Sequence, residues 1–174
     1  MDNKPAKQER GIMQMISEDA STREITRKFA NLTPAKVLRG NYPSMVRLKI
    51  TQGEETTEKA IAVVIGEAAV AFGEKMDWEV ALNLAAEIQT EYYFMSLEDC
   101  YIVMNRLKRQ PLYGKLTLNK ILTAFEQYKQ ERIKTASEMN YNHHLAEKEN
   151  PQAADREVSM LNSPVNPGRK KKSK

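Results

Sequence analysis

Five cations, Arg106, Lys108, Arg109, Lys115 and Lys120, fall within fifteen residues with no carboxylate among them, and Tyr113 sits in their midst. Pro111 stops a helix and Gly114 permits a sharp turn, so this stretch predicts a helix end, a tight corner and a new helix N-terminus. Such a corner gathers side-chain cations and free backbone N–H groups. That is the chemistry needed by a phosphate group or an acidic surface. The same residues could equally form a solvated turn. A second basic run, Arg169, Lys170, Lys171, Lys172 and Lys174, ends the chain and is a generic polyanion binder without sequence choice. Within the expected fold, the corner is taken as the one basic cluster.

Catalytic constellations are hard to find. Gly114-Lys115 lacks the upstream glycine and the following hydroxyl residue of a phosphate-binding loop. His143 and His144 are adjacent and diverge by about 100° on a helix, so both cannot face one metal. The lone Cys100 excludes an internal disulfide and reads as a small buried apolar residue. The carboxylates between Glu54 and Asp99 look like an exposed helical face. No enzyme activity, cofactor or metal is expected. Tyr92-Tyr93-Phe94 could stack bases, but three adjacent aromatics at a helix end more often plug a core corner. Glu91 and Arg132 could pair across helices.

Net charge is +4, yet the last six residues hold five cations, so the high pI belongs to the tail. The body is polarised: Glu54–Asp99 has 11 acidic and two basic residues, Cys100–Lys134 eight basic and two acidic. Charge separation of this kind suits a surface that meets a charged partner. A 41% apolar fraction and negative mean hydropathy point to a soluble chain. The longest apolar run, Ala60–Phe72, is interrupted by Gly66 and Glu67 and is too short to span a bilayer. With no signal-like N-terminus, a cytoplasmic location is expected.

The elements that must position the corner read as helices throughout. Residues 1–17 are expected to be a flexible arm, 18–140 a helical domain, and 141–174 a helix extension followed by a disordered basic tail. Within the domain, a short helix is expected over Glu18–Ala30, with Ile25 and Phe29 on one face. Thr33 then caps a helix starting at Pro34 and ending near Arg39. Val46–Thr51 alternates like a strand, but Ser44 as a cap and the lack of a second strand favour helix. Glu55–Phe72 carries a stripe of Ile61, Val64, Ile65, Ala68 and Phe72. Asp77 caps a helix running to about Tyr93. Ser96-Leu97-Glu98-Asp99 resembles a capping box and opens a helix to Arg109. Thr117 caps a last helix with Leu118, Ile121, Leu122, Phe125, Tyr128, Arg132 and Ile133 in its stripe, running on past His144 as a solvated extension. The fold class is all-α: a compact multi-helix domain with a long C-terminal helix and disordered ends.

Several of these residues share an order and spacing. Pro34-Ala35-Lys36-Val37-Leu38, Tyr42-Pro43-Ser44, Glu91-Tyr92-Tyr93-Phe94, Leu97-x-Asp99, Arg106-x-Lys108, Tyr113-Gly114-Lys115-Leu116 and Tyr128-x-x-Glu131-Arg132 span roughly residues 33–135. They resemble a family of small proteins of unknown function carried by phages and mobile elements of gut bacteria. The helical layout is also similar to phage helicase loaders and replication accessory proteins, by analogy alone. The resemblance brings no activity and no catalytic or ligand residues with it. The expectation is a non-enzymatic accessory protein of phage or mobile-element origin, an adaptor in DNA replication that docks a protein partner, such as a replicative helicase, or nucleic acid through the basic corner. The alternative is a structural or virion-associated interaction protein.

Overall fold

The protein is described by a computed structural model that covers residues 10–73, 75–110 and 116–149. Among these residues there are eight α-helices and no strand: α1 Ile12–Ser17, α2 Thr22–Phe29, α3 Pro34–Arg39, α4 Met45–Gln52, α5 Glu54–Ala71, α6 Trp78–Glu91, α7 Leu97–Arg109 and α8 Leu118–Glu149. The all-α reading holds, and the ambiguous stretch after Ser44 is a helix. The chain divides into two compact units, Met1–Ala136 and Ser137–Lys174, with the boundary inside α8. In the second unit the helix is largely exposed, Tyr141 and Leu145 included, and the His143 and His144 rings meet edge to face.

Local signals set most of the helix starts. Thr33 Oγ accepts from the Lys36 N–H, with Pro34 at the first helical position. Asp77 accepts from the Glu79 N–H. Ser96 and Asp99 form a reciprocal box, each side chain accepting from the other's backbone N–H. A second box, Ser21 with Glu24, starts α2 at Thr22 rather than at Glu18. Just before it, Asp19 takes a left-handed conformation that ends the preceding helical path.

The central element is α7. Every residue from Leu97 to Met104 is buried, and Leu107 as well. Its periodicity marks one apolar face, but α5, α3 and α1 all pack on it. The most extensive helix–helix packing in the first unit is α5 on α6, and both helices bury small residues, Ala60, Ala68 and Ala69 on one and Ala81 and Ala85 on the other. Small residues let the two backbones approach. The expected inward residues of α6, Ala81, Leu84, Ala85, Ile88 and Tyr92, are all buried. In the expected α8 stripe Ile121, Phe125 and Tyr128 are buried, whereas Leu118 and Ile133 are exposed.

The N-terminal arm needs correction. Ile12 and Met15 of α1 belong to the core, so from Gly11 the chain is docked structure. The cause lies far away in sequence. The Ile12 N–H donates to Glu98 Oε1 at 2.7 Å, giving a partner to an otherwise orphaned helix-start donor. Gly11 allows this approach, since a Cβ there would lie 2.9 Å from that oxygen. α4 is anchored in a related way: the Met45 N–H donates to Met95 O at 2.7 Å and the Val46 N–H to Tyr93 O at 3.0 Å.

Gln89 on α6 is buried, and neither its amide oxygen nor its nitrogen has a hydrogen-bond partner. An orphaned buried polar group costs about 1–3 kcal/mol. Gln89→Met, close in shape, should therefore raise unfolding stability by about 1–2 kcal/mol. The expected sign is a higher urea midpoint at unchanged slope.

Candidate functional site

The basic corner begins at the last turn of α7, where three cations point in different directions. Arg106 and Lys108 are separated by about 200° round the helix, Arg106 and Arg109 by about 60°. Arg106 turns to α8. Both terminal nitrogens reach the Glu131 carboxylate, one to Oε1 at 3.0 Å, and the guanidinium lies 5.4 Å from the Tyr128 ring centre. Glu131's hydrogen bonds hold the guanidinium above its ordinary pKa, and Arg106 in turn lowers that of Glu131. Lys108 instead faces the α5 side. It lines a narrow crevice with Glu67 and Asn105, and burial lowers its pKa while Glu67 pulls the other way. Arg109 is exposed and Lys120 half-buried. Tyr113, Lys115 and the tail residues Arg169, Lys170, Lys171, Lys172 and Lys174 lie outside the described residues. One contiguous positive corner does not form from Arg106, Lys108 and Arg109.

A groove does join two of the expected residues. Two depressions between α7 and α8, of about 150 and 280 Å³, share Leu107, Gln110, Ala124 and Gln127. Arg106 and Glu131 stand at one end, Asn119 and Lys120 at the other. The floor is apolar and small, and the walls carry two amides. An extended acidic segment fits hydrogen-bonding walls with Lys120 at one end, while Arg106 at the other is paired with Glu131.

Behind the groove lies a buried polar network. Asp99 is fully buried, and its Oδ2 accepts from the Ser96 N–H at 2.8 Å and from Arg132 Nε at 3.1 Å. Tyr128 O–H donates to Oδ1 at 2.6 Å. Burial, with the Asp99 charge second, pushes the Tyr128 phenol far above its ordinary pKa. Arg132 also lies over the Phe94 ring, 5.6 Å from its centre. The expected Glu91–Arg132 pair is therefore replaced by Asp99–Arg132. Tyr92 is buried against Phe125, while Tyr93 is exposed, so the aromatic triplet splits between plug and surface. Cys100 is fully buried, as expected, and burial raises its thiol pKa well above the ordinary value.

The corner is also not the sole basic cluster. Lys28, Lys36 and Arg39 ring an open basin of about 470 Å³ beside Phe29 and Tyr42. A signal existed: Ile25–Gln52 carries six cations and no carboxylate. Tyr42 also walls a cleft of about 440 Å³ that Glu98 lines too. Burial raises the Glu98 pKa, against the lowering effect of the Ile12 N–H.

Two predictions concern these acids. Asp99→Ala leaves Arg132 and the Tyr128 hydroxyl without their buried partner and should cost about 3–5 kcal/mol in urea unfolding. Tyr128→Phe should cost about 1–2 kcal/mol, with the double variant losing less than the sum. For Glu98, a folded-state pKa raised above the unfolded value gives stability that is present at low pH and lost as pH rises. Relative to Glu98→Gln, the unsubstituted protein should therefore gain stability as pH falls from neutral towards the ordinary carboxylate range. A pH-independent difference would mean the carboxyl is not perturbed.

No protein-family model, curated protein or solved structure matches the chain.

Proposed function

We propose that the chain is a non-catalytic adaptor of phage or mobile-element origin, working beside a replication machine, which docks an acidic segment of a protein partner in the α7–α8 groove. The observation that carries this reading is the α7–α8 groove itself, with Leu107 and Ala124 along it and the amides of Gln110 and Gln127 beside them. Arg106 at one end is held by Glu131 in a forked pair, so a partner's carboxylate would have to displace Glu131 to reach it. Lys120 at the other end supports the reading, since an acidic segment crossing Ala124 would meet its ammonium. Adaptors of this kind gain orientation and association rate from charge and residence time from the apolar floor.

The test is fluorescence anisotropy with a labelled acidic peptide, run on the full chain, on a chain lacking residues from Pro164, and on Ala124→Glu and Lys120→Glu. Binding should survive tail removal, weaken as salt rises, and fall at least about tenfold in both groove variants. Binding that disappears with the tail and ignores the groove variants would sink the reading. Tighter binding of a single-stranded oligonucleotide than of the peptide, with the same groove dependence, would replace the protein partner by nucleic acid. Purified particles containing the chain, shown by mass spectrometry, would favour a virion component instead.

A further inference from the structure

The basin between α2 and α3 is independent of the α7–α8 groove and has a different chemistry. Its rim carries Lys28, Lys36 and Arg39, and its floor and wall are Phe29, Leu32 and Tyr42. Among the described residues some surface cations are matched to carboxylates, Lys49 to Glu54, Lys59 to Glu55, Lys129 to Glu126 and Arg106 to Glu131. Lys28, Lys36 and Arg39 are not, and in this they resemble Arg23, Arg27, Arg47 and Arg109; what sets them apart is that they stand round one hollow. Lys28 Nζ donates to the Arg10 carbonyl and Lys36 Nζ to the Asn31 carbonyl, the latter at 2.9 Å. Carbonyls orient an ammonium without cancelling its charge, and each ammonium keeps further donors for a ligand. Among the described residues, no carboxylate forms an ion pair with Lys28, Lys36 or Arg39.

The aromatic wall is fixed by the backbone beneath it. A Cβ at Gly40 would lie 2.4 Å from a Tyr42 ring carbon, so the ring rests on bare backbone. Asn41, with φ +52°, makes the reversal that brings it there. The Phe29 ring meets Tyr42 edge to face, with centres 6.5 Å apart, which buttresses the wall from below. The volume, about 470 Å³, falls in the range of roughly 300–1,000 Å³ found for small-ligand sites. Three cations that form no ion pair among the described residues, beside a braced aromatic ring, suit a ligand that is anionic at one end and planar at the other.

We propose that this basin binds a nucleoside phosphate, with the phosphate on Lys36, Arg39 and Lys28 and the base against Tyr42. The ligand could be a free mononucleotide or the phosphorylated end of a polynucleotide, since both present the same group.

The test uses isothermal titration of the full chain with adenosine 5′-monophosphate, inorganic phosphate, and oligothymidine bearing a 5′-phosphate or a 5′-hydroxyl. The double variant Lys36→Gln/Arg39→Gln is set against Arg47→Gln/Lys59→Gln, which removes the same charge elsewhere. Circular dichroism checks that each variant is folded, and Tyr42→Leu provides a separate variant that keeps every charge. The mononucleotide should bind more tightly than inorganic phosphate. It should lose at least about tenfold in the Lys36/Arg39 double variant and nothing in the control. Tyr42→Leu should bring it down to the phosphate level while leaving phosphate itself unchanged. The same Lys36/Arg39 dependence seen only for the 5′-phosphorylated oligomer also supports the site and assigns it to polynucleotide ends. Equal losses in both double variants, or no preference for the nucleotide over phosphate, would overturn the proposal. So would a glutamate oligomer that binds as tightly and is indifferent to Tyr42→Leu.

Discussion

A carboxylate with no access to water must be satisfied by the protein, and Asp99 meets that demand from two elements at once. Its own helix start supplies the Ser96 N–H, and α8 supplies the Tyr128 hydroxyl and the Arg132 guanidinium. Such a site tolerates little displacement, because each lost donor leaves charge or a polar group stranded in a low-dielectric interior. Tyr128 and Arg132 are four apart, one above the other on the inner face of α8. The register of α8 on α7 is therefore set by polar chemistry as much as by Ile121 and Phe125.

The neighbouring acid does a parallel task in another direction. Adjacent residues on a helix diverge by about 100°, so Glu98 faces away from Asp99 and reaches α1. Both acids sit in the first turn of α7, where the helix dipole favours negative charge. Two consecutive side chains thus tie the first helix and the last helix to the same turn. The α4 start joins them there through the carbonyls of Tyr93 and Met95.

How much of this is readable from the sequence depends on how local the cause is. Thr33-Pro34, Asp77 and Ser96-x-x-Asp99 act within a few residues, and the helices they open begin where those signals place them. The docking of α1 is different, because its helix-start partner lies 86 residues on. Side-chain direction is equally invisible in a charge count. Arg106, Lys108 and Arg109 look like one cluster in the sequence, but the helical turn sends the first to Glu131 and the second towards Glu67. Conversely, Lys28, Lys36 and Arg39 are spread over two helices and come together only because the loop at Asn31–Thr33 folds them round one hollow. Asp99, Arg106, Tyr128, Glu131 and Arg132 are among the residues on which the resemblance rests. Each of them contacts another of the five.

The bond from the Ile12 N–H to Glu98 also bears on how the chain is made. During synthesis α1 leaves the ribosome long before the residue that completes its first turn has been translated. Until then Ile12 and Met15 have no finished core to enter and remain open to water, chaperones and proteases. Among the described helices, α1 is thus made well before the turn it docks on. Its release would bare Ile12 and Met15, which are buried in the folded chain.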